Sequence, residues 1–233
     1  CFCQNYRISS AAYGKEISEQ KLARIFLELQ NQGAHNINLV TATQYLPSIL
    51  NALDLVKNQL KIPIVYNSSG YEKPETIRLL KGYVDIYLPD LKYFSSELSR
   101  KYSKAEDYFE IASCAIKLMI EQTGAPVFDS DGMLQKGVIV RHLVLPNCRK
   151  DSISLLHWLK ETLPGKQYLI SLLSQYTPFY NSHKYPELNR RITTYEYESI
   201  LKEAISLGLV EGFMQEKSSA KEEYTPPFEL QGI

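Results

Sequence analysis

Two pairs of residues in this chain have types and spacings that could do chemistry. Cys1 and Cys3 are separated only by Phe2. On an extended loop both thiols could reach one soft metal ion or act as a redox pair. Asp90 and Lys92 lie two residues apart just beyond an apolar run, so on an extended segment both point to one side. They could offer a carboxylate to an ammonium and an ammonium to a carboxylate, or form only a surface ion pair with each other.

The composition excludes several classes of protein. The chain has 233 residues, and its 26 Lys and Arg balance its 26 Asp and Glu, so bulk charge indicates neither a nucleic-acid nor a membrane partner. No apolar run reaches the roughly 18 residues of a membrane span, and no charged leader with an apolar stretch indicates a signal peptide. Four unevenly spread cysteines do not form a disulfide pattern. We therefore expect a cytoplasmic protein.

Apolar residues alternate along the chain between helical spacing and short strand-like runs. The spacing predicts helices over 17–32, 46–60, 74–80, 105–122, 152–163 and 193–207. It predicts strands over 36–40, 62–66, 84–88, 138–145, 168–173 and 212–215. Connections of this length allow parallel crossovers, which predicts an α/β fold with a parallel sheet, buried on both faces or closed into a partial barrel. Residues 1–217 form the predicted core, and the polar, Pro-containing 218–233 is expected to be an extended strap.

Ligands of parallel sheets bind at the carboxyl ends of the strands, so the residues after each predicted strand matter most. These segments are 41–45, 67–71, 89–92, 146–147 and 174–177. They carry small hydroxyls, amides and one charged pair, which suits a ligand with many hydrogen-bonding groups and no dominant charge, such as a zwitterionic nucleoside. The 67–70 segment is equally compatible with a plain turn. Arg141 and His142 are neighbours on a predicted strand, so only one of them can face the ligand cavity.

Several motifs of other enzymes are absent from the sequence. The four histidines show neither H-x-H nor H-E-x-x-H spacing, so no zinc site is indicated. Neither a Gly-rich phosphate loop nor a G-x-S-x-G elbow is present, which argues against a kinase or an α/β-hydrolase.

Seven segments, in their order and spacing, resemble the pyruvate formate-lyase activating-enzyme-like branch of the radical S-adenosylmethionine (SAM) superfamily. They are CFCQNYRIS at 1–9, GAHNINLVT at 33–41, YNSSGYE at 66–72, DIYLPDLKY at 85–93, RHLVLPN at 141–147, SQYTPF at 174–179 and GFMQEKSSA at 212–220. The resemblance extends over nearly the whole chain. It implies a partial (β/α)6, TIM-like barrel with parallel strands.

The resemblance also implies two cofactors and a reaction. In the family, three cysteines of a C-x-x-x-C-x-aromatic-C motif hold a [4Fe-4S] cluster, and S-adenosyl-L-methionine chelates the fourth iron. The reduced cluster cleaves SAM to methionine and a 5′-deoxyadenosyl radical, which abstracts a hydrogen atom, in activating enzymes from a glycyl-radical enzyme. Phe2 and Cys3 match the aromatic residue and the last cysteine, so we expect the first two cysteines upstream of Cys1, in a segment missing from this chain. A flavodoxin- or ferredoxin-type electron donor and a protein substrate are the implied partners.

The family's SAM-binding residues carry over unevenly. Asn67 and Ser68 match an Asp-Thr pair, and Asp90 and Lys92 match an Asp-Leu-Lys motif; both line the methionine end of SAM. Asn67 replaces a carboxylate there, so the resemblance does not extend to the family's cation site. Thr43 lies in Thr-Ala-Thr-Gln, where the family has Gly-Gly-Glu-Pro, so the contact to the SAM amino group must be made differently.

One further pair follows from the same alignment. Gln175 and Tyr176 follow the fifth predicted strand, near the place where activating enzymes have a histidine that contacts SAM. They complete the set of candidate cofactor-binding residues.

Two rival hypotheses remain open from the sequence. Only one or two of the three cluster cysteines are present, which also fits a barrel protein that lacks a cluster and binds a nucleoside-type ligand without catalysis. In the other hypothesis Cys1 and Cys3 form an isolated metal or redox pair, although no other thiol lies nearby in the sequence.

Overall fold

Strands and helices alternate through the part of the chain that the computed structural model describes, namely residues 1–9, 11 and 13–214. The strands are Ile37–Val40 (β1), Ile64–Ser68 (β2), Ile86–Pro89 (β3), Val127–Phe128 (β4), Leu134–Leu143 (β5), Leu169–Leu173 (β6) and Gly212–Met214 (β7). The helices are Tyr6–Ser9 (α1), Glu19–Asn31 (α2), Leu46–Val56 (α3), Pro74–Leu79 (α4), Ser96–Ser103 (α5), Tyr108–Thr123 (α6), Arg149–Thr162 (α7) and Thr194–Ser206 (α8). No helix in these residues is both long and apolar enough to cross a membrane.

The strands form one sheet in the order β1-β2-β3-β5-β6-β7. All neighbours in this order are parallel, and β4 pairs antiparallel with β5. The carboxyl ends of the parallel strands therefore meet at one edge, as in the predicted partial TIM-like barrel. At that edge Asp90 forms a bridge with Arg141, which brings the segment after β3 beside β5.

The two faces of the sheet differ in what covers them. Side chains on one face are buried in the main hydrophobic core, together with residues of the helices. These strand residues are Ile37, Leu39, Ile64, Tyr66, Tyr87, Val138, Val140, Ile170 and Leu172. The opposite face, called the inner face here, carries Val40, Asn67, Arg141 and Phe213 by the alternation of side chains. Val40 is 44% exposed and Phe213 is 53% exposed, so the inner face is open at both edge strands.

The sequence missed three elements, α1, α5 and β4, and it placed the start of β5 too late. Strand β5 begins at Leu134 rather than 138, because its first residues pair with β4 in a hairpin that extends beyond the parallel sheet. Val127 and Phe128 are exposed there, so the hairpin needs no apolar alternation to form. The predicted strap over 218–233 and residue 215 of the last predicted strand lie outside the described residues.

Gly70, in the loop after β2, is placed where no other residue fits. Its φ is +79°, and an added Cβ would lie 2.1 Å from the backbone oxygen of Asp90. The loops after β2 and β3 therefore approach each other through a position that requires glycine.

We expect Gly70→Ala to lower the free energy of unfolding by clearly more than Gly82→Ala. Gly82 also has a positive φ, +86°, but an added Cβ there meets nothing within 4 Å. The control should therefore cost only the backbone term of about 1–2 kcal/mol, whereas Gly70→Ala must also displace Asp90. Urea unfolding of both variants measures the difference, and equal losses would contradict the close approach of the two loops.

Candidate functional site

The carboxylate of Asp90 binds two cations at the carboxyl edge of the sheet. Its Oδ2 lies 2.6 Å from Lys92 Nζ, and its Oδ1 lies 2.7 Å from Arg141 Nη2. The same Nη2 donates to Asn67 Oδ1 at 2.6 Å. We call these four residues the Asp90 cluster. The side chains of Asp90, Lys92 and Arg141 are 19–24% exposed, so the cluster is accessible from solvent without being a surface ion pair.

The Asp90 cluster carries a surplus positive charge. Burial would raise the pKa of Asp90, but Lys92 and Arg141 together lower it below its ordinary value, so the carboxylate is ionised at neutral pH. Two cations thus share one anion, and Arg141 Nε is buried with no hydrogen-bond partner. An unpaired guanidinium nitrogen and an excess of one positive charge both favour an anion such as a carboxylate as ligand.

Tyr108, the first residue of α6, holds the two loops of the site together. Its buried hydroxyl lies 2.9 Å from the carbonyl oxygens of both Ser69 and Asp90, and it accepts the Lys92 N–H at 3.1 Å. One side chain thereby fixes the loops after β2 and β3 relative to each other. The loop conformation around Asp90 and Lys92 is therefore set by the protein before any ligand binds.

His142 supports the same segment from the helix-facing side of the sheet. Its Nδ1 lies 2.7 Å from the Leu91 carbonyl oxygen, and its Nε2 lies 2.8 Å from Ser152 Oγ on α7. Burial lowers the pKa of His142, so the ring is neutral at physiological pH. Of the two neighbours on β5, Arg141 is thus the one that faces the site.

A second carboxyl group, Glu72, is buried and has no cationic partner among the residues that the structure describes. Its Oε1 accepts from Thr43 Oγ1 at 2.7 Å and from Tyr66 Oη at 3.1 Å. Its Oε2 is buried with no partner, and the residue is 2% exposed. Burial raises the pKa of Glu72 above its ordinary value, only partly opposed by the hydroxyls of Thr43, Tyr66 and Ser68. Thr43, the candidate after β1, is therefore tied to the loop after β2.

The remaining candidates lie along the same edge. Ser68 is buried, and its Oγ accepts the Gly70 N–H at 3.2 Å, as in a turn. Tyr176 is buried, and its Oη donates to the Leu188 carbonyl oxygen at 2.8 Å, while Gln175 before it is half-buried. The roles of these three residues in cofactor binding stay predictions.

The cysteine loop lies beside the segment that follows β6. The rings of Phe2 and Tyr176 pack edge to face with centroids 5.8 Å apart, and Cys1 O accepts the Asn181 N–H at 2.9 Å. Cys3 is exposed. In the described residues no three or more His, Cys, Asp or Glu side chains come together as a metal site. These residues alone do not fit a complete [4Fe-4S] cluster.

A cavity of about 710 Å³ lies between the first turns of α5, α7 and α8. Phe94, Cys148, Arg149 and Tyr195 line part of it. Burial raises the pKa of Cys148 to about 12, so this thiol is protonated at neutral pH. The cavity wall includes Asn147 of the segment after β5 and the charged side chains of Lys150, Asp151 and Glu196, but none of the four residues of the Asp90 cluster.

Sequence reasoning missed Arg141 and Glu72 as members of the site. The sequence did contain a signal for Arg141, because side chains alternate along a strand and either Arg141 or His142 therefore had to face the ligand cavity. For Glu72 no local signal existed, since its partner Thr43 lies 29 residues away across a crossover.

The raised pKa of Glu72 predicts how stability depends on pH. Near pH 4.5 and below, the group is protonated and its contribution is fully present. As the pH rises towards the folded-state pKa, the unfolded chain releases its proton first, so the free energy of unfolding falls. Glu72→Gln stays neutral, so wild type should lose stability relative to this variant as the pH rises from about 4.5 to 7.5.

Chemical denaturation across this pH range tests the expectation. Glu75→Gln is the matched control, because Glu75 is exposed on α4 and pairs only with Arg78. Its stability relative to wild type should change little with pH. A constant difference between wild type and Glu72→Gln would show that folding does not raise the pKa of Glu72.

Comparison with known proteins places this geometry in context. No protein-family model matches the chain. An uncharacterized protein of Methanocaldococcus jannaschii is 32% identical over 212 residues, which cover 86% of this chain and 56% of that protein. The chain thus spans about half the length of this relative.

Solved structures share the fold at low sequence identity. A domain of pyruvate-formate lyase-activating enzyme from Bacteroides vulgatus matches with a TM-score of 0.55 and 14% identity, covering 78% of this chain and 98% of that domain. SuiB of Streptococcus suis bound to S-adenosylmethionine matches with a TM-score of 0.54 and 14% identity, covering 90% of this chain and 47% of SuiB. SuiB bound to its precursor peptide SuiA matches at 0.52 and 13%, covering 87% and 43%. The chain therefore shares its fold with this activating-enzyme domain and with SuiB.

Proposed function

We propose that the protein binds SAM at the Asp90 cluster and is part of a radical SAM oxidoreductase. The observation that carries the proposal is the surplus positive charge of the Asp90 cluster at the carboxyl edge of the parallel sheet. SuiB, which has been solved with SAM bound, shares the fold of this chain. Ligands of such sheets bind at this edge. The carboxylate of the methionine part of SAM is an anion of the size and charge that the cluster accepts.

The residues of the site have different roles in ligand binding. Lys92 and Arg141 bind the ligand carboxylate. The two cations share the single negative charge of Asp90, so one positive charge remains for the ligand. Asp90 holds both cations in place, and Tyr108 fixes the backbone that carries them. Since these contacts are made within the protein itself, little ordering entropy is lost on binding.

For the [4Fe-4S] cluster we propose that this chain supplies one ligand. Cys3 supplies one thiolate of a [4Fe-4S] cluster, and the other ligands come from outside the described residues. A bound cluster would supply the electron that cleaves SAM.

The molecules bound in the structurally similar proteins suggest the kind of substrate. SuiB has been solved with a precursor peptide, so a peptide or protein segment is the substrate class that we propose for this chain as well. The proposal has three further parts. The SAM-derived radical abstracts a hydrogen atom from a glycyl-radical enzyme, a flavodoxin- or ferredoxin-type donor reduces the iron–sulfur cluster, and the protein is cytoplasmic.

One observation favours a second candidate function. In the described residues no grouping of three metal-ligating side chains occurs, which fits a barrel that binds SAM or a related nucleoside without a cluster. Both candidates share the SAM site and differ in whether the protein takes up iron.

SAM binding is tested first through Lys92. We expect Lys92→Met to weaken SAM binding about tenfold or more, since a hydrogen bond to a charged group contributes about 1.5–3 kcal/mol. Isothermal titration calorimetry measures the dissociation constant. Lys81→Met is the matched control, because Lys81 is exposed in the turn after α4. Equal affinity of Lys92→Met and wild type would remove the Asp90 cluster from the binding site.

Iron uptake separates the two candidate functions and tests the assignment of Cys3. A chain carrying an added C-x-x-x-C segment directly before Cys1 should take up about four irons on anaerobic reconstitution, because three thiolates are then available. In that background Cys3→Ala should abolish the visible cluster absorbance, whereas Cys1→Ala should retain it. The same segment with Ser in place of Cys is the control.

Two results would contradict the assignment. Loss of the cluster in Cys1→Ala but not in Cys3→Ala would mean that the register of the cysteine motif is wrong. Failure of the extended chain to take up iron would favour the barrel without a cluster.

A further inference from the structure

We infer that the cavity between the first turns of α5, α7 and α8 is the docking site for a segment of this same chain, residues 222–230. These residues have the sequence EEYTPPFEL, and they fall within the predicted strap over 218–233, outside the described residues. We call them the acidic segment. The cavity shares no residue with the Asp90 cluster, so the inference does not depend on SAM binding.

The cavity lies at the carboxyl edge of the sheet, because α5, α7 and α8 follow β3, β5 and β6. Its volume of about 710 Å³ is within the range of about 300–1,000 Å³ that is typical of ligand pockets. Two large aromatic side chains of its wall remain exposed, Phe94 at 40% and Tyr195 at 68%. Phe94 precedes α5 and Tyr195 lies in the first turn of α8, so an occupant meets apolar surface on two walls.

The carboxylates of the cavity wall are already bound within the protein. Asp151 accepts two backbone N–H groups of the loop before α5, at 2.7 and 3.0 Å. Glu196 accepts from both terminal nitrogens of Arg190, at 2.7 and 2.8 Å. Neither carboxylate therefore pairs with the two cations of the wall, Arg149 and Lys150.

These two cations have no carboxylate partner among the residues that the structure describes. The Arg149 guanidinium lies over the Tyr195 ring, 5.6 Å from its centroid. Both cations are in the first turn of α7, where the positive end of the helix dipole disfavours them. Helix α7 also begins without a side-chain cap in the described residues, so the N–H groups of its first turn can bind an acceptor. The cavity therefore favours an occupant with more than one carboxylate.

The acidic segment has the matching chemistry. Its three carboxylates, Glu222, Glu223 and Glu229, complement the two cations of the cavity wall. Tyr224 and Phe228 supply aromatic rings for the exposed aromatic side chains of the wall, a kind of pair that favours association. Two prolines between these rings lower the backbone entropy that docking removes.

The position at which the chain leaves β7 brings the acidic segment within reach. Strand β7 is parallel to β6 and ends at Met214, so the chain continues from the carboxyl edge. The linking residues 215–221 can extend to about 23 Å at about 3.3 Å per residue. Strand β5, which leads into α7, is two strands from β7, about 10 Å along the sheet, and one helix diameter adds about 10 Å outwards. The linking residues therefore span the distance, and covalent attachment gives the segment an effective concentration on the order of millimolar.

Zero-length crosslinking of the full chain with a carbodiimide tests the inference, because this reagent joins an amine to a carboxylate in direct contact. After proteolysis and mass spectrometry, Lys150 should be joined to the acidic segment about tenfold more often than Lys81 or Lys166, as expected of a charge-assisted contact. These two control lysines are exposed in the turns before β3 and β6, at the opposite, amino edge of the sheet.

Variants test the two parts of the docking site. Arg149→Glu keeps the Lys150 amine but should lower its crosslinking yield about tenfold, because the new carboxylate repels the acidic segment. Lys166→Glu makes a similar change of charge at the amino edge and should leave the yield unchanged. Tyr195→Ser should also lower the yield severalfold, whereas Tyr45→Ser, which removes an exposed ring near the end of β1, should not. Thermal unfolding confirms that each variant is folded.

Three results would overturn the inference. Crosslinking of Lys150 no more often than of the two control lysines would place the acidic segment elsewhere. Equal yields in Arg149→Glu and wild type would show that charge does not dock the segment. Crosslinks that join two chains and disappear on dilution would make a second copy the occupant. None of these measurements uses SAM or iron, so each outcome leaves the proposed function unaffected.

Discussion

The bond between Asp90 and its two cations is the interaction on which the arrangement of the site depends. It joins the segment after β3 to the inner face of β5, and through Asn67 it reaches the end of β2. Parallel strands bring their carboxyl ends together, but the sheet alone does not hold long charged side chains in one place. A carboxylate that is shared between two cations does, because moving either cation leaves a partly buried charge unpaired.

Neutral polar groups buried around the cluster support it. Tyr108 binds the backbone of Asp90 and Lys92, and His142 binds the carbonyl oxygen of Leu91 between them. Neither side chain carries a charge at neutral pH. Burial raises the pKa of Tyr108 and lowers that of His142, so each keeps the uncharged form that its hydrogen bonds require. The hydrogen bonds of these two neutral side chains therefore fix the backbone that carries Asp90 and Lys92.

Two carboxyl groups at this edge show how the surroundings set the charge. Asp90 is paired with cations, which lower its pKa, whereas Glu72 meets only hydroxyls, and burial raises its pKa. The first group orders the charged part of the site, and the second ties Thr43 to Tyr66. Sequence alone shows two acidic residues 18 positions apart and does not distinguish their states.

The sequence by itself determined the alternation of strands and helices, the edge at which polar residues gather, and the common side of Asp90 and Lys92. These features depend on local periodicity, which the order of residues states directly. Only the tertiary structure showed that Lys92 shares Asp90 with Arg141 and that Glu72 binds Thr43. Those contacts join strand ends 29 to 51 residues apart, and they depend on which strands are neighbours and in what register. Crossover geometry sets both, and no local pattern encodes it.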